Sequence, residues 1–200
     1  MKRVPEPDEL MNDAAQARAY AEADFSEPNT LFVRLFEQHL SPAPGLRVLD
    51  LGCGPGDTAH RLMKQGFTVD AIDATPAMVS RAREFGVPAR RATFAEIDAA
   101  DLYDGIWANF SLLHAPRADM PAHLARLGTA LKPGGRFHIG VKLGAGAKRD
   151  AIGRLYTYYT EDELTGLLDA AGFTPTIRGT GRSTGLDGAL ADWIWIQADG

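Results

Sequence analysis

Apolar residues along this chain follow two patterns that take turns. Short runs with little alternation fall at residues 48–50, 69–72, 103–110 and 137–141, and each suits a strand covered on both faces, as in a parallel sheet. Stretches with helical signals lie between them. Residues 57–65 form one helix, which ends at the stop signal Gly66, and residues 117–131 form another. A third opens at Thr75-Pro76, because proline at the first helical position loses no bond that would have formed. Thr160-Glu161-Asp162-Glu163 has the capping-box pattern and opens a last helix, which ends at Ala171-Gly172-Phe173. Residues 89–94 read as a short third strand, and 174–179 and 190–198 as a closing pair. In the last of these, Trp193 and Trp195 alternate with Ile194 and Ile196, so aromatic and aliphatic residues take opposite faces of the core. Strands alternating with helices predict an α/β fold on a doubly wound sheet.

Two connections and one end stand apart from this alternation. Lys132-Pro133-Gly134-Gly135-Arg136 reads as a tight turn from helix to strand. Residues 142–157 read as a long loop with Arg149, Arg154 and Tyr156, followed by Tyr158 and Tyr159; long loops of this kind tend to bind or cover ligands. An anionic acceptor would find planar arginine forks there, and a solvated turn is the other reading. At the N-terminus, residues 8–23 read as a helix with a thin apolar face. Residues 30–40 read as a second, with Leu31, Leu35 and Phe36 on one side and Asn29 or Thr30 as cap. Tyr20 and Phe25 flank a gap in the periodicity near Ser26-Glu27-Pro28. The chain therefore divides into N-terminal helices, 1–45, and a sheet domain, 46–200.

Composition narrows the function classes. Of 200 residues, 45% are hydrophobic and 24% charged, which is ordinary for a soluble globular protein. The net charge of −5 gives no long-range attraction for phosphate backbones or anionic lipid, so neither nucleic acid nor a membrane surface is expected as a partner. Cys53 is the single cysteine, which rules out an intrachain disulfide and suits a reducing compartment. The N-terminal residues lack the apolar core of a signal peptide, and no run approaches the ~20 apolar residues of a membrane span. A cytoplasmic protein is expected. Histidines 39, 60, 114, 123 and 138 lack metal-ligand spacing, so no metal is expected.

The candidate chemistry sits at the end of the first strand, in Asp50-Leu51-Gly52-Cys53-Gly54-Pro55-Gly56-Asp57. Glycines there let the backbone turn tightly and approach a ligand closely. A dinucleotide fingerprint needs its third glycine where this chain has Asp57, and a carboxylate facing a pyrophosphate would repel it. Asp50, which ends the strand, also suits a cationic group better than a phosphate. Asp73 follows twenty-one residues after Gly52, close to where a ribose-binding carboxylate belongs. Cys53, between two glycines, reads as a small residue filling the turn.

This stretch resembles motif I of the class I S-adenosylmethionine-dependent methyltransferases, and the resemblance extends over about residues 46–198. It implies a mostly parallel, seven-stranded, Rossmann-like sheet with an antiparallel strand near one edge. The N-terminal helices would then be a lid; two helices capping the sheet edge are the alternative. It also implies S-adenosyl-L-methionine as cofactor, cradled by Asp50, Gly52, Cys53 and Gly54. Asp73 would grip the ribose hydroxyls, Ala74 would pack on adenine, and Met78 would sit nearby. The family commonly has Gly-Asp where this chain has Ala92-Thr93. Here Thr93 offers a hydroxyl to the adenine amino group, the backbone at Phe94 and Ala95 contributes, and Phe94 either stacks on the ring or fills the core. Residues 103–114 resemble the motif IV region of small-molecule methyltransferases, with carbonyls near Ala108 and Asn109 facing the methionine ammonium. His114 is the candidate general base, being the side chain with an unperturbed pKa near neutrality; its alternative is a buried histidine bonding to backbone. Asn109-Phe110-Ser111 departs from the Asn/Asp-Pro-Pro-aromatic pattern of enzymes that methylate nucleic-acid bases. The expected activity is methyl transfer to an O, N or C atom of a small molecule, by a monomer or homodimer. The alternative is a non-catalytic protein of the same fold that binds the cofactor or a partner.

Overall fold

The computed structural model describes residues 26–40, 45–151, 153–185 and 188–200, with side chains from residue 33 onward. The helix expected over 8–23, with Tyr20, Phe25 and the capping side chains of Asn29 and Thr30, lies outside the described residues. Helix α1 (Ser26–Leu40) precedes strand β1 (Arg47–Leu51), α2 (Asp57–Lys64), β2 (Thr68–Asp73), α3 (Pro76–Glu84) and β3 (Arg90–Arg91). Then come β4 (Tyr103–Asn109), α4 (Met120–Ala130) and β5 (Leu131–Lys142). A separate hairpin of β6 (Ala147–Arg149) and β7 (Leu155–Thr157) follows, then α5 (Glu161–Ala170), β8 (Thr174–Thr184) and β9 (Leu190–Asp199).

The central sheet has seven strands in the order β3-β2-β1-β4-β5-β9-β8. The first five run parallel, and β9 runs antiparallel to both its neighbours. This is the doubly wound α/β sheet that the alternation of elements predicts. Helices α1, α2 and α3 cover one face through Val33, Phe36, Ala59, Leu62, Val79 and Ala82, with Trp107 and Trp195 beneath them. Helices α4 and α5 cover the other through Leu124, Leu127, Leu164 and Leu168, on Ile194 and Ile196. The alternation of tryptophan and isoleucine in β9 thus feeds two separate cores. Strand order reverses between β1 and β4, so their carboxyl ends open a crevice, the usual place for a ligand in a sheet of this kind.

Several boundaries differ from the sequence reading: α1 begins at Ser26, through the expected gap at 26–28, rather than at residue 30, and β8 pairs with β9 as far as Thr184 rather than ending at 179. The third strand pairs only at Arg90 and Arg91, because Thr93 donates its backbone N–H to Glu96 at 2.7 Å and turns the chain into a 3-10 helix, Phe94–Glu96. The helix expected over 117–131 starts with a 3-10 turn, Arg117–Asp119, and Leu131 joins β5. The Lys132-to-Gly135 turn lies within β5 as a bulge, between the pairs Tyr103–Leu131 and Gly105–Arg136. The expected loop 142–157 is largely the β6–β7 hairpin. Its turn is closed by a buried ion pair, Arg154 to Asp150 at 2.6 Å, with the Arg154 backbone N–H also donating to Asp150 at 2.9 Å.

An aromatic contact helps hold helix α1 on the sheet. Phe36 is fully buried and meets the Trp107 ring edge-on at 5.4 Å. Gly105 makes room for it, since a Cβ there would lie 2.7 Å from the Phe36 ring. Phe36→Ala is expected to lower the unfolding free energy by about 3–5 kcal/mol in urea titrations, as large-to-small changes in a closed core do. Leu190→Ala, at a residue 63% exposed, should change it by less than about 0.5 kcal/mol.

Candidate functional site

The glycine turn is built by the carboxyl ends of β1 and β2. Gly52 and Cys53 both donate their backbone N–H to the Ile72 carbonyl, at 2.8 and 2.9 Å, which locks the turn to the end of β2. Gly52 lies at φ 75°, and a Cβ on it would fall 2.5 Å from Cβ of Ser111, so any side chain would push the ends of β1 and β4 apart. Gly56 serves another purpose. A Cβ there would meet Val87 and Ala82 of the α3 region at 3.0–3.1 Å, so this glycine permits helix packing. Gly54 faces Asp73, donating its N–H to Oδ2 at 3.0 Å, while Thr75 donates to Oδ1 at 2.8 Å. Burial raises the Asp73 carboxyl above its ordinary range, and these two bonds only partly offset the rise.

Asp50 lies deeper. It is 2% exposed, and its Oδ2 has no hydrogen-bond partner among the described residues. Burial, and then the charge of Asp73, push its carboxyl up to about 7, against a bond from the Ala59 backbone. The Ser111 hydroxyl, beside Gly52, is likewise buried without a partner. Buried polar atoms are ordinarily bonded, so two open ones at a single turn mark the place for a polar ligand. Two buried carboxylates, with the charge of Asp73 raising the proton affinity of Asp50, fit a cationic group and hydroxyls, and they disfavour a pyrophosphate. The donor set therefore suits an amino acid ammonium at Asp50 and a ribose at Asp73.

The remaining expected residues are spread around this corner. Cys53 is buried, its thiol on the Gly54 carbonyl at 3.6 Å, and burial holds it well above the usual thiol range, so it fills the turn as an unreactive side chain. Ala74 is partly exposed beside Asp73, and Met78 is 1% exposed within α3. Thr93 directs its hydroxyl proton to Glu96 at 2.7 Å, as part of a capping box with that residue. Phe94 packs edge-on to His123 at 5.6 Å and borders the core, while Ala95 is exposed. Neither arginine of the expected anion clamp presents its fork to a ligand. Arg154 is buried on Asp150, and Arg149 donates to the Gly153 carbonyl.

At the end of β4, Asn109 accepts a bond from His138 at 3.1 Å through its Oδ1. Phe110 then takes φ 52°, a left-handed conformation uncommon for an aromatic residue, and its N–H donates to the Gly140 carbonyl at 2.9 Å. Strain of this sort is typically kept where a strand end must be re-aimed at a site. His114, in the 3-10 turn Leu112–His114, donates from Nδ1 to the Leu155 carbonyl at 2.8 Å, which leaves its lone pair on Nε2. Burial is the main reason its pKa falls to about 4, so the ring is neutral at pH 7. The backbone bond foreseen as the alternative for His114 is therefore present. Ser111 was missed by the sequence reading. Its place after the fourth strand was visible, but its approach to Gly52 depends on the left-handed turn at Phe110.

A family profile described as "Methyltransferase domain" matches residues 48–135. An uncharacterized methyltransferase of Schizosaccharomyces pombe is 26% identical over 74% of this chain and 66% of its own length. A ubiquinone biosynthesis O-methyltransferase of Methylobacterium nodulans is 29% identical over 66% of this chain and 61% of its own. The chain spans about half to two thirds of the length of such curated relatives. Among solved structures, Burkholderia thailandensis 1,6-didemethyltoxoflavin-N1-methyltransferase, with bound 1,6-didemethyltoxoflavin and S-adenosylhomocysteine, superposes with a TM-score of 0.73. It is 27% identical, over 95% of this chain and 84% of that one. The matched residues begin in β1 and take in the glycine turn, Asp73 and the end of β4, and these findings together support a class I S-adenosylmethionine-dependent methyltransferase, the group to which the chain is similar in sequence and fold.

Proposed function

We propose that the protein transfers the methyl group of S-adenosylmethionine to an O, N or C atom of a small molecule. The observation that carries this reading is the open Oδ2 of Asp50, a buried carboxylate oxygen beside a glycine turn, with a second carboxylate, Asp73, at the neighbouring strand end. Asp50 and the Ser111 hydroxyl hold the methionine ammonium, Gly52 and Gly54 let the backbone close on the ligand, and Asp73 takes the ribose hydroxyls. Ala74 and Met78 wall the adenine, with Thr93, Phe94 and Ala95 at its edge. Bound there, the cofactor supplies a sulfonium methyl, an electrophile that is already activated. What remains for the protein is to align the acceptor and exclude water, and orientation of this kind supplies up to ~7–11 kcal/mol in favourable intramolecular systems.

A basicity of about 4 makes His114 a poor match for proton removal at neutral pH, which supports alignment as the main contribution. Its Nε2 lone pair takes a hydrogen bond from an acceptor O–H or N–H and so orients it. The acidic net charge and the 1,6-didemethyltoxoflavin bound to the Burkholderia enzyme favour a small acceptor over a nucleic acid. Residues 1–45 form the lid in this reading, with α1 as its anchored part, over a cofactor-binding domain of residues 46–200. Product analysis on a panel of phenols, amines and heterocycles tests the activity. Calorimetric binding of S-adenosylhomocysteine with no acceptor ever methylated would point instead to a non-catalytic binder.

Two variants test the site. Asp73→Ala is expected to weaken S-adenosylhomocysteine binding at least tenfold by calorimetry, with an unchanged circular dichroism spectrum; unaltered affinity would remove Asp73 from the ribose. The second concerns Asp50. Its carboxyl has a higher pKa folded than unfolded, so folding retains a proton between about pH 4 and 7 and the ligand-free protein loses stability as pH rises through that window. Asp50→Asn is therefore expected to be more stable than wild type at pH 8, by at most about 4 kcal/mol of unfolding free energy, with little difference at pH 4. The same variant should bind the cofactor product more weakly. Lower stability at pH 8 would contradict the assigned burial of an unpaired carboxyl.

A further inference from the structure

Sheet order decides which way a nucleoside bound at Asp50 and Asp73 extends. Asp50 lies on β1 and Asp73 ends β2, with β3 beyond β2 at the sheet edge. The arm that carries the ammonium toward Asp50 and the base leave the ribose on opposite sides of its ring oxygen. With the ribose hydroxyls on Asp73, the base therefore runs past β2 and over the end of β3. The chain there is tied to Asp73. Arg91 lies opposite it in the ladder, and the Ala92 N–H donates to its backbone carbonyl at 3.1 Å. Thr93, partly exposed, comes next along the chain at this end.

The hydroxyl expected to meet the adenine amino group is already committed as a donor. Both Thr93 donors, the backbone N–H and the hydroxyl, go to Oε2 of Glu96, each at 2.7 Å. These two bonds hold the carboxylate against Thr93 whichever way its other oxygen turns, because both oxygens share one carbon. A neutral residue at position 93 thus carries a carboxylate borrowed from three residues further along, across the 3-10 turn Phe94–Glu96. The bonds from Thr93, the backbone one first, hold the Glu96 carboxyl below its usual range, and Arg90 and Arg91 add to this, so it is ionised at pH 7. Both arginines are engaged elsewhere, Arg90 with Asp70 at 3.1 Å and Arg91 with the Ala74 carbonyl at 3.3 Å. A carboxylate offers about four acceptor sites, more than the Thr93 bonds fill, and its hydrogen bonds are roughly twice as strong as those of a neutral hydroxyl.

We propose that Glu96, through the carboxylate that Thr93 holds, accepts a hydrogen bond from the exocyclic amino group of adenine and so selects a 6-aminopurine over a 6-oxopurine. This rests on the cofactor reading above and adds a specificity-determining residue to it. Adenine presents an N–H2 donor at that position. An oxopurine presents a carbonyl oxygen there, and a carboxylate has no proton to give it.

Calorimetry with S-adenosylhomocysteine and S-inosylhomocysteine, its 6-oxo counterpart, tests the selection. Wild type is expected to prefer the adenosyl compound at least tenfold, and this ratio needs no variant to fold. Glu96→Gln keeps an oxygen for Thr93 and offers an N–H2 group to a 6-oxo oxygen, so the preference should shrink at least fivefold. Glu96→Ala should weaken the adenosyl compound at least fivefold more than the inosyl one. A residue that only caps the turn would move both affinities by the same factor, and an unchanged ratio in the two variants would overturn the proposal. Equal binding of the two compounds by wild type would also overturn it, while leaving the cofactor reading in place. Failure of wild type to bind either compound would overturn the cofactor reading, and the proposal with it.

Discussion

Two carboxylates at the ends of adjacent parallel strands, Asp50 and Asp73, are forced close together by the way β1 and β2 pair. Leu51 lies opposite Ile72, and the Ile72 carbonyl takes both N–H groups that follow Leu51, so the glycine turn cannot move away from Asp73. Each carboxyl sits where burial disfavours its charge, and the charge of Asp73 raises Asp50 further. Left alone, such a pair costs stability. A ligand with an ammonium group and neighbouring hydroxyls offsets that cost, and this preference makes the corner a site.

The rest of the molecule supports this corner from below and beside. Two cores, one per face, hold the five parallel strands in register, and Phe36 secures α1 over Trp107 on the face that also carries Asn109 and His138. At the end of β4 the chain bends through the left-handed Phe110, which brings Ser111 against Gly52. Side chains from three strand ends therefore converge without any of them lying close in sequence. The hairpin β6–β7 borders the same end, with Leu155 fixing the His114 ring and the buried Asp150–Arg154 pair fixing the hairpin.

Much of this was legible in the sequence because it depends on local rules. Gly52 and Gly54 recur at the spacing of a tight turn, Asp73 closes an apolar run, and Thr160 and Glu163 form the capping box that their spacing predicts. The Trp/Ile alternation in β9 foretold two core faces. Features that depend on contacts across strands were not legible. The third strand stops short because Glu96 captures the N–H of Thr93, and a glycine-rich stretch became a hairpin because Asp150 and Arg154 pair in a buried turn. Ser111 and His138 owe their places to a left-handed turn and to β4–β5–β9 register, neither of which leaves a periodic trace.

If the account is right, closing the corner on a cation must expel a proton, because Asp50 is largely protonated below about pH 7 in the free protein and ionised beside an ammonium. The direct measurement is the proton balance of S-adenosylhomocysteine binding at pH 6.5, obtained by calorimetry in buffers of different ionisation enthalpy. Release of a substantial fraction of a proton per site is the expected result. Proton uptake, or binding with no exchange at all, would contradict the assignment of the buried carboxylates to the cationic end of the ligand.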